Sequence, residues 1–249
     1  MRKIRFAEVL VVLSLTLMFP LFSSAQGERN EGKVGIGVKV STLGVGVEAA
    51  VPVLHKLNIR AGGNFISYSH AFHQDGVNYN GNLAWRSGEA SVDWFPFGGF
   101  HLSPGLLFYN GNKVTATALV PSGQTFTLSG TTYTSGGPAP NAPNPISGTG
   151  QVTFPKVAPK FTVGVGNLVP RNGRHWSILG EFGVAYQGTP SAALALQGTV
   201  CDQNGLNCVN SSSNATFQSN VTAEQSKINK NLEIFKFYPI ISVGFGFNF

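Results

Sequence analysis

The last nine residues of the chain alternate without a break. Ile241, Val243, Phe245, Phe247 and Phe249 fall on one face, and Ser242, Gly244, Gly246 and Asn248 on the other. A period of two is that of a β-strand. The second face carries glycine where a soluble sheet would carry solvated polar side chains. Glycine weakens a strand and is used where other groups approach closely, so a wall of such strands encloses something narrow. The same rule runs through the chain. Val34, Ile36, Val38 and Val40 alternate with Gly35, Gly37 and Lys39; Val45, Val47, Ala49 and Val51 alternate with Gly44, Gly46, Glu48 and Ala50.

Five further segments repeat the pattern, at residues 57–68, 83–94, 100–113, 157–165 and 176–187, with Arg60, Glu89, Asp93, Lys113, Lys160 and Glu181 opposite the aliphatic and aromatic positions. Leu83 and Trp85 break parity with Ala90, Val92 and Trp94, which predicts a bulge near Ser87 and Gly88. Pro104 removes a ladder donor and calls for a second bulge. Connections alternate in length: residues 52–56, 96–99 and 170–174 are short, the last with the turn signal Asn172-Gly173, whereas residues 70–80, 119–150 and 188–235 are long. Residues 125–134 read as an extended hairpin inside the second long connection. Val221, Ile228, Leu232 and Phe235 lie on one stripe, predicting a short amphipathic helix over residues 221–235 just before the last strand. The fold class is therefore all-β: an eight-stranded antiparallel up-and-down transmembrane barrel, or ten-stranded if a hairpin within residues 119–150 also crosses.

Composition agrees with lipid as one solvent. Only 11% of the 249 residues are charged, against roughly 25% in soluble domains, while 42% are hydrophobic. After residue 22 no apolar run approaches the ~20 residues of a spanning helix. Residues 1–25 have a basic start at Arg2, Lys3 and Arg5, an apolar stretch from Val9 to Phe22 and small residues at Ser23, Ser24 and Ala25, the pattern of a cleaved secretory signal. Residues 26–249 then form one domain. Cleavage removes Arg2, Lys3, Arg5 and Glu8, which lowers the net charge from +6 to +4. The remaining charges are scattered and make no nucleic-acid-binding patch.

A terminal phenylalanine preceded by apolar residues at every second position back to Ile241 resembles the C-terminal strand of Gram-negative outer-membrane barrels. With the export signal and eight alternating segments, the likeness covers essentially the whole mature chain. It is to the small barrel superfamily typified by the transmembrane domain of outer membrane protein A. The stretches Ser41 to Glu48, Asp93 to Phe97 and Lys156 to Pro159 resemble those of uncharacterised small outer-membrane proteins. The resemblance implies that both termini and the short turns are periplasmic and the long loops external. It also implies that Ile241, Val243, Phe245, Phe247 and Phe249 form the signal read by the barrel-assembly machinery, and that outer-membrane lipid and lipopolysaccharide are the surroundings.

Three sets of residues carry candidate chemistry. Lys39, Glu48, Arg60, Glu89, Asp93, Lys113, Lys160 and Glu181 face inward, four of each sign, and an eight-stranded lumen leaves room for little but paired side chains. Cys201 and Cys208, the only cysteines, lie in an external loop of an exported chain and are expected to form a disulfide. His101 with Ser103, and His175 with Ser177, each put His and Ser on one face, but at the end away from the outer leaflet. His70, His73 and Asp75 lie at the external end without a second acidic pair; His55 sits in a short turn. No metal set or cofactor motif is present. The function class that follows is a structural or surface-binding membrane protein, not an enzyme. A narrow porin-like channel and a lipid A-modifying or proteolytic barrel enzyme are the alternatives.

Overall fold

The computed structural model describes residues 34–74, 77–136 and 144–249. The expected signal peptide and Asp75 lie outside the described residues. In chain order the strands are β1 (Gly35–Ser41), β2 (Gly44–Leu54), β3 (Leu57–Gln74), β4 (Val77–Phe97), β5 (Phe100–Phe108), β6 (Lys113–Leu119), β7 (Thr125–Leu128), β8 (Thr131–Ser135) and β9 (Ser147–Thr153). There follow β10 (Ala158–Val165), β11 (Trp176–Tyr186), β12 (Ser191–Gln197), β13 (Thr199–Cys201), β14 (Val209–Asn210), helix α1 (Ala215–Asn231), a 3₁₀ turn (Leu232–Lys236) and β15 (Phe237–Asn248).

Eight of these close a ring. The order β1, β2, β3, β4, β5, β10, β11, β15 returns to β1 through antiparallel pairs, and the seam runs from Gly35 opposite Asn248 to Ser41 opposite Ser242. Alternation survives as inside and outside: Val38 is 55% exposed and Ile178 72%, while Lys39 and Leu179 between such positions are buried. The barrel buries charge and presents aliphatic and aromatic side chains to its surroundings, the reverse of a water-soluble fold.

The wall is uneven in height. β1 has seven residues and ends in a turn at Thr42 and Leu43, whereas β3 has 18 and β4 has 21. Beyond the ring, β6, β9 and β12 continue β5, β10 and β11 and join β3 and β4 in an upper sheet ordered β3, β4, β6, β9, β12. The second long connection therefore adds no crossing pair. It holds the expected hairpin as β7 and β8, which pair with β13 and β14 in a separate four-stranded sheet. Val77, Val120, Leu128, Ile146, Val200, Phe217 and Val221 form the core between these layers.

The helix begins earlier than its apolar stripe predicts. Asn214 caps it by accepting from the Phe217 amide at 2.8 Å. Phe217 and Val221 are its buried residues, whereas Phe235 is exposed. Its polar face has a use the stripe did not reveal: Asn229 Oδ1 accepts from the Ala192 amide at 2.7 Å and Gln225 Oε1 from Leu194 at 3.1 Å. Two side chains one turn apart thus cover the free edge of β12.

The bulge expected at Ser87 and Gly88 is absent from β4, whose register with β3 is continuous. The break lies in its other partner. β4 pairs with β6 as far as Ala84 and with β5 from Gly88, and residues 109–112 make the jog, with the Gly111 amide on the Arg86 carbonyl at 2.8 Å. Leu83 and Trp85 need no bulge because they point inward, above the charged part of the lumen. At Pro104 the strand stays paired to β10, and the register shift falls nearer the turn, between Trp94 and Phe97.

Cys201 and Cys208 are joined. Within their loop, Asp202 accepts from the amides of Leu206 at 2.8 Å and Asn204 at 3.0 Å and from the Asn207 side chain at 2.9 Å. The Leu206 amide foremost holds its carboxyl below the usual range. A depressed folded pKa stabilises above the unfolded value and is lost as pH falls through the folded one. Closing so short a loop contributes about 2–3 kcal/mol. In a Cys201→Ser, Cys208→Ser variant we expect unchanged heat-modifiable migration of the barrel but faster proteolysis within residues 202–207, more so as pH falls below the ordinary aspartate value of 3.8. Equal cleavage of both proteins would show that the bond does not hold this loop.

Candidate functional site

The lumen is one connected set of ion pairs. Arg60 on β3 is the centre. Its guanidinium meets Asp93 through Nε at 2.9 Å and Nη2 at 3.1 Å, Glu48 through Nη1 at 3.2 Å, and Glu181. Glu89 is a second centre, held by Lys39 and Lys160, and Lys39 links the two through Glu48 at 3.2 Å. Hydroxyls and amides fill the remaining acceptor sites: Ser103 and Ser91 donate to Asp93 at 2.7 and 3.2 Å, and Asn64 to Glu89 at 3.2 Å. All seven charged groups are buried.

Lys113, expected in this set, is exposed on β6 above the ring. The jog at residues 109–112 ends the barrel wall before Lys113, so alternation counted through it misplaces the residue. His101 takes part instead. Its Nε2 lies 3.0 Å from Glu181 Oε1 and its Nδ1 3.1 Å from the Gly166 carbonyl. Both ring nitrogens thus face oxygen acceptors, one from a carboxylate and one from the backbone, which fixes the ring within the ion-pair layer. The signal for His101 was present in its parity with Ser103, but spacing alone did not distinguish a lumen residue from half of a hydrolase pair. Ser103 donates to Asp93, not to His101. His175 places Nδ1 at 3.0 Å from the Asn248 carbonyl, and His73 places Nδ1 at 2.8 Å from Asn78 Oδ1.

Apolar groups close both ends of this layer. At the short-turn end, the loop of residues 166–175 sends Leu168 and Val169 into the barrel against Ala50 and Leu179. A Cβ on Gly246 would lie 2.4 Å from the Leu168 side chain, and one on Gly37 2.8 Å from it. Of the glycines that read as a sign of a narrow lumen, Gly35, Gly37 and Gly246 are the seats of this plug, whereas Gly46 and Gly244 make room beside Lys39. Asn58 fastens it through Asn167 at 2.8 Å, and Arg171 reaches the Leu54 carbonyl at 2.7 Å. Phe95 is buried here beside His101. At the other end Leu43, Leu107, Ala158, Ala185 and Ile240 form an inward lid. Tyr238 packs on it and donates to the Thr42 carbonyl at 2.6 Å, and Trp85 stands edge-on to Tyr238 and Phe154.

Open chemistry lies above the lid. The inner face of the upper sheet presents Tyr68, His70 and Phe72 on β3, then Tyr79, Gly81 and Leu83, then Val114, Ala116 and Ala118, then Gly148, Gly150 and Val152, then Ala192, Leu194 and Leu196. None is acidic, and His70 alone is basic. Its upper margin is covered by the second sheet and the helix. Lower down it is bare: Tyr68 is 60% and Phe72 46% exposed, Ala116 is exposed, and a Cβ on Gly81 or Gly150 would meet only a backbone oxygen of the adjacent strand. Tyr68, His70, Phe72 and Tyr79 stack in sequence along the edge. β2 pairs with β3 only as far as Phe65, and β1 stops at Ser41, so this trough opens sideways over the low turn at Thr42 and Leu43.

No protein-family model matches the chain, and no curated protein sequence matches it. Several solved structures are similar, two of them as follows. The crystal structure of Acinetobacter baumannii CarO is 21% identical, with 86% of this chain and 96% of that one covered and a TM-score of 0.52. That of Acinetobacter baumannii CarO2 is 19% identical, with 87% and 98% covered and a TM-score of 0.54. Both are outer-membrane barrels, and the likeness is one of fold.

Removing Arg60 would strand Glu48, Asp93 and Glu181 in the buried interior. Breaking a buried pair on one side costs about 3–5 kcal/mol. Arg60→Ala is expected to lower the temperature at which the folded band converts to the unfolded one on a gel, well beyond any effect of Lys113→Ala. Equal midpoints for the two variants would contradict the network's assigned role.

Proposed function

We propose that this chain is an outer-membrane protein whose barrel is a closed anchor. Its binding surface is the apolar trough on the long-loop side, which takes the apolar part of an amphiphile such as an outer-leaflet lipid. The observation that carries this reading is the order of layers along the barrel axis: plug, ion-pair layer, lid, and only then an uncovered face. A conduit for ions needs lining charges that are free to meet the ion, and every charge in this layer is paired with another. The trough has the opposite character. It spans five strands, roughly 19 Å at about 4.8 Å per strand, with aromatic rings at its mouth and small residues along its floor.

The height of the wall supports entry from the side. A strand needs about 9–11 residues to cross a bilayer, and β1 has seven. The turn at Thr42 and Leu43 therefore sits at the level of lipid, and outward side chains such as Val40 and Ile241, both exposed, lead up to it.

Two measurements test this. Purified protein in planar bilayers should give no reproducible single-channel steps; steps abolished by lumen substitutions would overturn the closed anchor. For the trough, a Trp94→Phe, Trp176→Phe background leaves Trp85 as the single tryptophan. Its fluorescence in detergent should be quenched saturably by dibromostearate, and Ala116→Arg should abolish saturation. Quenching that rises linearly with added probe, or that survives Ala116→Arg unchanged, would remove the trough as the binding surface.

A further inference from the structure

The short-turn rim holds a second cavity, of about 980 Å³, between the turn at Pro96 to Gly99 and the plug loop. Lys56, Arg171 and Arg174 line it, with His55, and no acidic residue does among the described lining residues. The partners of these cations are neutral. Lys56 Nζ donates to the Pro96 carbonyl at 3.1 Å, and Arg171 to the Leu54 carbonyl and, at 3.2 Å, to Asn58 Oδ1. The Arg171 guanidinium also lies 5.9 Å from the centre of the Phe95 ring, and burial pulls its pKa down with no carboxylate to offset the loss of water. Three cations around one cavity, Lys56 and Arg171 held by dipoles and none of the three by a carboxylate among the described residues, make a local excess of positive charge that favours an anion.

The remaining wall says what kind of anion. Trp176, Ile178 and Phe245 line the same cavity, and all three are exposed on the outward face of β11 and β15. The cavity thus runs from cationic groups at the rim onto the surface that faces lipid. A soluble anion would use only the first half of it. We infer that this groove holds an anionic phospholipid of the leaflet at the short-turn end, its phosphate among Lys56, Arg171 and Arg174 and its chains along Trp176, Ile178 and Phe245.

This inference rests on the membrane reading above and is independent of the trough. The test is native mass spectrometry of delipidated full-length protein given phosphatidylglycerol or phosphatidylcholine. Arg171 stays in place because it fastens the plug, so the variant is Lys56→Ala, Arg174→Ala, checked for heat-modifiable folding. Wild type should retain one phosphatidylglycerol, and the variant about tenfold less, as expected for losing charge-assisted hydrogen bonds. Phosphatidylcholine should be retained weakly by both. Equal phosphatidylglycerol retention by variant and wild type, or equal retention of the two lipids by wild type, would overturn the site while leaving the membrane reading intact. Failure of the protein to partition into vesicles of either lipid would instead strike the membrane reading itself.

Discussion

Seven ionised side chains and one histidine are buried inside the barrel, and that circumstance governs the rest of it. Charge taken out of water is tolerated only when paired at close range and hydrogen-bonded on its remaining sides. Arg60 meets this demand by facing carboxylates from three other strands, β2, β4 and β11. Glu89 does the same with lysines from β1 and β10. These pairs reach across the lumen as well as between neighbours. Strand register is therefore tied twice, once by the backbone ladder and once by the side chains inside it. A slip of one residue on any of these strands would put a charge into lipid and an aliphatic group into the ion-pair layer.

The ends of the layer follow from the same physics. Water entering from either side would raise the local dielectric and weaken every pair. Leu168 and Val169 below, and Leu43, Leu107 and Ile240 above, keep it out. The fold thereby separates two tasks. The lower barrel is built for closure, with glycine wherever the plug must pass. The upper sheet is not closed, because β1 and β2 end early while β3 and β4 continue, and its concave face keeps apolar surface uncovered on one side. A soluble protein would hide that surface.

Much of this was legible in the alternation. Lys39, Glu48, Arg60, Glu89, Asp93, Lys160 and Glu181 could be assigned to the inside because each lies on a strand whose opposite face is aliphatic. Lys113 misled for the reason the others succeeded: parity carries through a strand but not through a jog, and residues 109–112 turn the chain out of the barrel wall. Trp85 looked out of phase only because an inward position above the charged layer can be aromatic. The helix stripe included Val221, which is buried, but also Phe235, which is exposed, and it missed Phe217, since the sheet that covers the buried pair is assembled from β7, β8, β13 and β14, segments with no pattern linking them to the helix.

From the sequence alone came the barrel class, the inward and outward faces, the disulfide pair and the hairpin at residues 125–134, because these depend on local periodicity or on there being a single partner available; whether eight or ten strands cross was settled only by where residues 119–150 go. Which carboxylate meets which cation, the entry of Leu168 and Val169 into the barrel, the unequal height of the wall and the trough and groove that result were decided by tertiary structure. Each requires residues separated by dozens of positions to share one space, and a period of two holds no information about who stands opposite across a lumen.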